Sequence, residues 1–161
     1  MFPNTSIWLV NAGHALIVGT PEPLNISYTE WQQRLSTPKA RADLAEYSLG
    51  SPEILMAHFI ADQETLPVFL QNARPNTDDF PYAELSRVVS KMQIPEVVLG
   101  FIRLKRDLTH RLTFKYETLP EMVDIKERVS QYAEAETYYL QGVFSQNIAG
   151  EPLLALNMLT E

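Results

Sequence analysis

Asn76-Thr77-Asp78-Asp79-Phe80-Pro81-Tyr82-Ala83-Glu84, near the middle of the chain, is the stretch about which the rest divides. Its residues make a polar loop: short side chains that favour turns and caps, then a proline, then helix formers. Ahead of it the sequence reads as a β-hairpin and short capped helices, and after it as helix to the end. The expected fold is therefore mostly α, with an N-terminal β-hairpin, then short helices and a repeat-like helical region.

The length of 161 residues suits one ordinary domain with a sizeable core. A hydrophobic content of 45% with 20% charged residues is that of a globular chain rather than a disordered one. There are no cysteines, which excludes disulfides, thiolate nucleophiles and cysteine-bound metals and fits a reducing compartment. The net charge of −7 disfavours polyanions and leans toward cationic ligands, so nucleic acid is not an expected partner. No apolar run reaches the roughly eighteen residues of a membrane span, and no signal-peptide pattern opens the chain. A cytoplasmic location is the expectation.

Ser6-Ile7-Trp8-Leu9-Val10 and Ala15-Leu16-Ile17-Val18, split by Asn11-Ala12-Gly13-His14, read as two antiparallel strands. Both are almost continuously apolar, so burial on both faces is expected, although no other stretch reads as a strand. Thr20-Pro21-Glu22-Pro23 is a stiff connector. Ser27 and Glu30 form a capping box ahead of a helix carrying Trp31 and Leu35 on one side. Thr37-Pro38 opens a helix running toward Tyr47, which Gly50 is expected to end. Ser51-Pro52 opens the next, with Ile54, Leu55, Phe59 and Ile60 apolar, and a short helix covers Leu66 to Leu70.

These elements, in this order, resemble the carboxyl-terminal part of spermidine-synthase-like proteins, especially the long fused, membrane-attached forms. The opening Phe2-Pro3-Asn4-Thr5-Ser6-Ile7-Trp8 matches a Phe-Pro-x-Thr-x-x-Trp pattern, and the returning strand ends in Val18-Gly19. The Pro23-Leu24 step, the Arg34 to Pro38 element and Asn76-Thr77-Asp78-Asp79 before a Pro and a Glu follow. The resemblance covers roughly residues 2 to 86. It implies that the hairpin is the end of a methyltransferase-type sheet whose Rossmann-like N-terminal region, a partner for this chain, lies ahead of Phe2. The family's Gly-rich loop, its ribose-binding acid and the Asp that deprotonates the amine belong to that region. By resemblance this chain alone thus holds no cofactor and no transferable catalytic residue. In the complete family an S-adenosylmethionine-type nucleoside is bound and an aminopropyl group passes to an amine.

The second half has a different character, so the expected division is residues 1–86, the spermidine-synthase-like portion, and 87–161, a helical tail. Breaks are expected at Ile94-Pro95 and Leu119-Pro120. Arg103, Lys105, Arg106, His110, Arg111 and Lys115 gather into a basic run, read first as the solvated face of a helix and second as a contact for an anionic partner. From Val129, a helix with Tyr138, Tyr139 and Gly142, a turn at Gly150, and Leu153 to Leu156 are similar to one tetratricopeptide-type repeat, a unit that needs stacked neighbours. This tail suggests a protein partner, and a helical interaction module is the alternative reading of the whole chain.

Asp78 and Asp79 read first as helix caps and second as substrate-binding residues, because adjacent carboxylates attract an amine. His14, His58 and His110 share no ligand spacing, so no metal site is expected. Ser27, Thr37 and Ser51 are spent as caps, and Trp8 and Trp31 read as core rather than base-stacking residues.

Overall fold

A computed structural model describes residues 3–11, 14–47, 49–71 and 94–148. The Asn76–Glu84 loop with Asp78 and Asp79 lies outside them, as does the Leu153 to Leu156 stretch of the repeat-like unit.

The hairpin is formed by β1 (Asn4–Asn11) and β2 (His14–Thr20), antiparallel with Ile7 opposite Ile17 and Trp8 opposite Leu16. The expectation of no further strand is corrected by β4 (Phe59–Ala61), which pairs antiparallel with β1 and gives the sheet order β2-β1-β4. Phe59 and Ile60 thus leave the helix in which the sequence places them. That helix, α3 (Pro52–Ala57), stops at its C-cap His58, whose carbonyl accepts from the Leu9 amide at 2.8 Å. Aromatic and β-branched side chains suit the pleat, and the β1 edge supplies the backbone partners that a local reading cannot see. A second, two-stranded parallel pairing joins β3 (Ile26–Ser27) to β5 (Leu112–Thr113).

The helix punctuation follows the sequence closely. Ser27 accepts from the Glu30 amide at 3.4 Å to open α1 (Tyr28–Leu35), and Ser51 accepts from the Ile54 amide at 3.3 Å to open α3. Thr37 sits at the start of α2 (Pro38–Ala45), but its hydroxyl donates back to the Arg34 carbonyl instead of capping. That helix ends at Ala45, before Gly50 is reached, so Gly50 is not its terminator. A short α4 (Leu66–Leu70) precedes α5 (Ile94–Leu104) and the 30-residue α6 (Leu119–Ile148). Pro95 and Pro120 stand in the first turns of α5 and α6, where a missing N–H costs nothing. Helix does not continue unbroken through the second half. Residues 105–118 form an irregular connection with one 3-10 turn (Thr109–Arg111) and β5. The α6 helix passes straight through Gly142.

Strand alternation sends Ile7 and Leu9 to one side of the sheet and Trp8 to the other, and each side carries a core. On the first, Ile7, Leu9, Ile60 and Leu66 meet Leu99, Ile102, Leu140 and Phe144. On the second, Trp8, Ile26, Tyr28, Met56 and Phe59 meet Leu108, Leu112, Ile125 and Val129. Residues from both 1–86 and 87–161 build each cluster. Trp8 stacks on Trp31 at 6.0 Å and meets Phe59 edge-on at 5.4 Å, so both tryptophans pack inside the fold.

Burial of the hairpin on both faces holds for β1 only. Leu16 and Ile17 of β2, neighbours that point to opposite faces, are 54% and 68% exposed. The outer edge of β2 has no strand partner among the described residues.

Candidate functional site

Three helices that start or pass at one place bring Tyr28, Glu53 and Arg128 together. Tyr28 is the first residue of α1, fixed by the Ser27 cap, and Glu53 is in the first turn of α3, fixed by Ser51 and Pro52. Arg128 reaches them from α6, which packs along α3. The Tyr28 hydroxyl donates to Glu53 Oε1 at 2.7 Å, and Arg128 donates to the same oxygen from Nε at 3.3 Å and Nη2 at 3.2 Å. Arg128 also pairs with Asp124 one turn earlier on α6.

The electrostatics lock this cluster rather than prime it. Burial, then the hydrogen bond to Glu53, pushes the Tyr28 hydroxyl up to about 12, so it stays protonated. Burial alone would raise Glu53, but donors from Tyr28, the backbone, Ser51 and Arg128 outweigh it and hold the carboxyl below its usual range. A carboxylate with its lone pairs so committed is a poor general base.

Tyr28, Gln32 and Arg128 line two hollows, and Glu53 lines the first of them. One, of about 360 Å³, lies among α1, α2, α3 and α6, with Gln32, Leu35, Ser36, Arg41, Gly50, Ser51 and Pro52 completing its lining. The other, of about 290 Å³, is lined on its far side by Glu117, Glu121, Asp124 and Ile125. Glu117 and Glu121 are spent on their surroundings: Glu117 accepts from the Thr29 hydroxyl at 2.6 Å, and Glu121 from the Thr118 amide at 2.6 Å.

No known protein family, curated protein or solved structure matches the chain.

The remaining sequence candidates fall in separate surroundings. His58 lies between the Leu9 carbonyl at 3.1 Å and Glu136 at 3.4 Å, while His110 meets the Asp107 carbonyl at 2.9 Å. Among the described residues, Asp62, Glu64 and His110 offer ligand atoms within 4.8 Å of one another. The Arg111 guanidinium already sits in that group, 2.8 Å from Asp62 and 2.5 Å from Glu64, and repels a cation from it.

The basic run is corrected. Only Arg103 and the 3-10 residues His110 and Arg111 are helical, and the charges do not form one face. Lys105 turns inward to the Ala57 and Phe59 carbonyls, satisfying the end of α3, and burial pushes its ammonium down to about 8 against the opposing pull of Glu136. Arg106 donates to the Arg103 carbonyl at 3.1 Å, and Lys115 lies 5.4 Å from the centre of the Tyr116 ring.

Sequence reasoning missed Tyr28, Glu53 and Arg128. Glu53 carries only the ordinary signal of an acid in a first helical turn, and nothing in a linear pattern pairs it with residues 25 and 75 positions away.

Proposed function

We propose that this chain is the sheet-completing, carboxyl-terminal part of a spermidine-synthase-like protein and does not transfer aminopropyl groups by itself. The observation that carries the reading is β2. It is an apolar strand with an unpaired edge and with Leu16 and Ile17 open to solvent on opposite faces. Isolated proteins guard such edges with charge, proline or cover, and the sequence His14-Ala15-Leu16-Ile17-Val18-Gly19-Thr20 has no acid, lysine or proline. A methyltransferase-type sheet would continue on this edge and bury both faces under helices. The Phe2 to Trp8 and Asn76 to Asp79 patterns carry the resemblance to that family.

In the transfer, the amine nitrogen attacks the carbon beside the sulfonium, the carbon–sulfur bond breaks, and the methylthio-nucleoside leaves with the electron pair. The amine's proton goes to a carboxylate base. Such catalysis rests on positioning and proton transfer. Glu53, the best-buried carboxylate of the described cleft, is committed to Tyr28 and Arg128, which supports a non-catalytic role for this part. Asp78 and Asp79 enter the proposal as residues that hold the cationic amine in the complete protein.

A second reading, a helical interaction module, is favoured by Tyr132, Tyr138 and Tyr139, all exposed on α6. Sedimentation velocity separates the two. Self-association removed by Ile17→Lys but not by Tyr139→Ser supports the sheet reading, and the converse supports the tail. A monomer that binds no hydrophobic dye refutes the sheet reading. Calorimetry with decarboxylated S-adenosylmethionine is expected to show no complex; a stoichiometric one overturns the non-catalytic assignment.

A further inference from the structure

The hollow that Glu53 lines carries more cationic than anionic side chains. Arg128 is taken up by Glu53 and Asp124, the Tyr28 hydroxyl by Glu53, and the Ser36 hydroxyl by the Gln33 carbonyl at 2.8 Å. Two exposed side chains of its lining have no protein partner among the described residues: the Arg41 guanidinium and the Gln32 amide. Arg41 has no carboxylate within ion-pair distance there, in a chain whose net charge is −7. The lining charges are two guanidiniums against one carboxylate, and Oε1 of that carboxylate already accepts from Tyr28 and Arg128.

We propose that this cleft binds a small organic oxyanion, a carboxylate or phosphate monoester, anchored by Arg41 with Gln32 as a second donor. A planar guanidinium presents paired N–H groups that match either oxyanion, and a concave wall raises its worth over an open surface. The volume of about 360 Å³ is at the small end of ligand sites, which limits the guest to a metabolite-sized molecule. Leu35 and Pro52 give the carbon part of such a guest an apolar wall. Gly50 also lines the hollow, and a Cβ built there meets nothing within 4 Å. The site is independent of the role proposed for β2.

Amide chemical-shift titrations with inorganic phosphate, with succinate and with sodium chloride at matched ionic strength test it. Saturable shifts confined to α1, α2 and the start of α3 are expected for phosphate or succinate and not for chloride. Tighter phosphate binding identifies the phosphate monoester as the guest class, and tighter succinate binding the carboxylate. Arg41→Gln should weaken binding at least about tenfold, the loss of one charge-assisted bidentate contact. Gly50→Asp, which offers Arg41 an internal carboxylate and leaves Arg41 itself intact, should weaken it similarly. Shifts that stay linear with concentration, or equal affinity in both variants, overturn the proposal.

Discussion

Replacing Glu53 by methionine should cost more than the hydrogen bonds it removes. Glu53 is 6% exposed and Tyr28 3% exposed, so the Tyr28 hydroxyl would lose its acceptor where water cannot replace it. An orphaned buried hydroxyl costs about 1–3 kcal/mol. Arg128, its side chain 41% exposed and still paired with Asp124, turns to solvent, so its share falls to about 0.5–1 kcal/mol. The single variant should therefore lose about 2–3 kcal/mol. Tyr28→Phe removes the donor while Glu53 keeps Arg128, at a cost of about 1 kcal/mol. The double variant has no orphaned hydroxyl, so it should be more stable than the sum of the singles predicts, by about 1–2 kcal/mol. Urea denaturation of all four proteins measures this, with equal m-values required. Additivity within about 0.3 kcal/mol would refute the hydrogen-bonded coupling. Alkaline titration gives a second readout. Tyr28 is raised from 10.0 to about 12, so its stabilising contribution is intact below pH 10 and lost as pH rises through about 12. One late-ionising tyrosine should vanish in Tyr28→Phe.

Gly142→Ala should stabilise the protein by about 0.5–1 kcal/mol in chemical denaturation, because Gly142 is exposed within α6 and an added Cβ meets nothing within 4 Å. Lys105 is lowered from 10.5 to about 8, so the penalty of burying its charge is largest below pH 8 and disappears above about 10.5. The parent should accordingly gain stability relative to Lys105→Met as pH rises from 8 to 10.5, by at most about 3 kcal/mol, read from paired melting curves. Ile17→Lys should leave thermal stability within about 0.5 kcal/mol, since Ile17 is 68% exposed, while lowering dye binding.

Elements with local signals were legible in the sequence. Ser27 and Ser51 mark helix starts through chemistry that acts within a few residues, and the breaks expected at Ile94-Pro95 and Leu119-Pro120 fall at the first residues of α5 and α6. The hairpin was legible for the same reason. The β4 strand was not, because Phe59-Ile60-Ala61 follows a helix with only His58 between and takes its strand character from β1, some fifty residues earlier. Residues 105–118 looked helical by composition, yet β3 claims Leu112 and Thr113 as partners. The Tyr28–Glu53–Arg128 cluster shares that fate: each member is ordinary in its own helix, and only packing joins them.

The contacts that close the fold also set its timing. The hairpin needs only a short loop and can form in about 1–10 μs. Thr29 and Glu117, by contrast, meet across 88 residues, and bringing such distant points together costs about 4 kcal/mol of chain entropy before any contact repays it. Attachment of α6 to α1 is therefore expected to follow closure of the β1–β2 hairpin. Interactions made after the barrier slow unfolding without hastening folding. The reach of Arg128 across 75 residues to Glu53 is therefore expected to act as a clasp, whose loss speeds unfolding more than it slows folding.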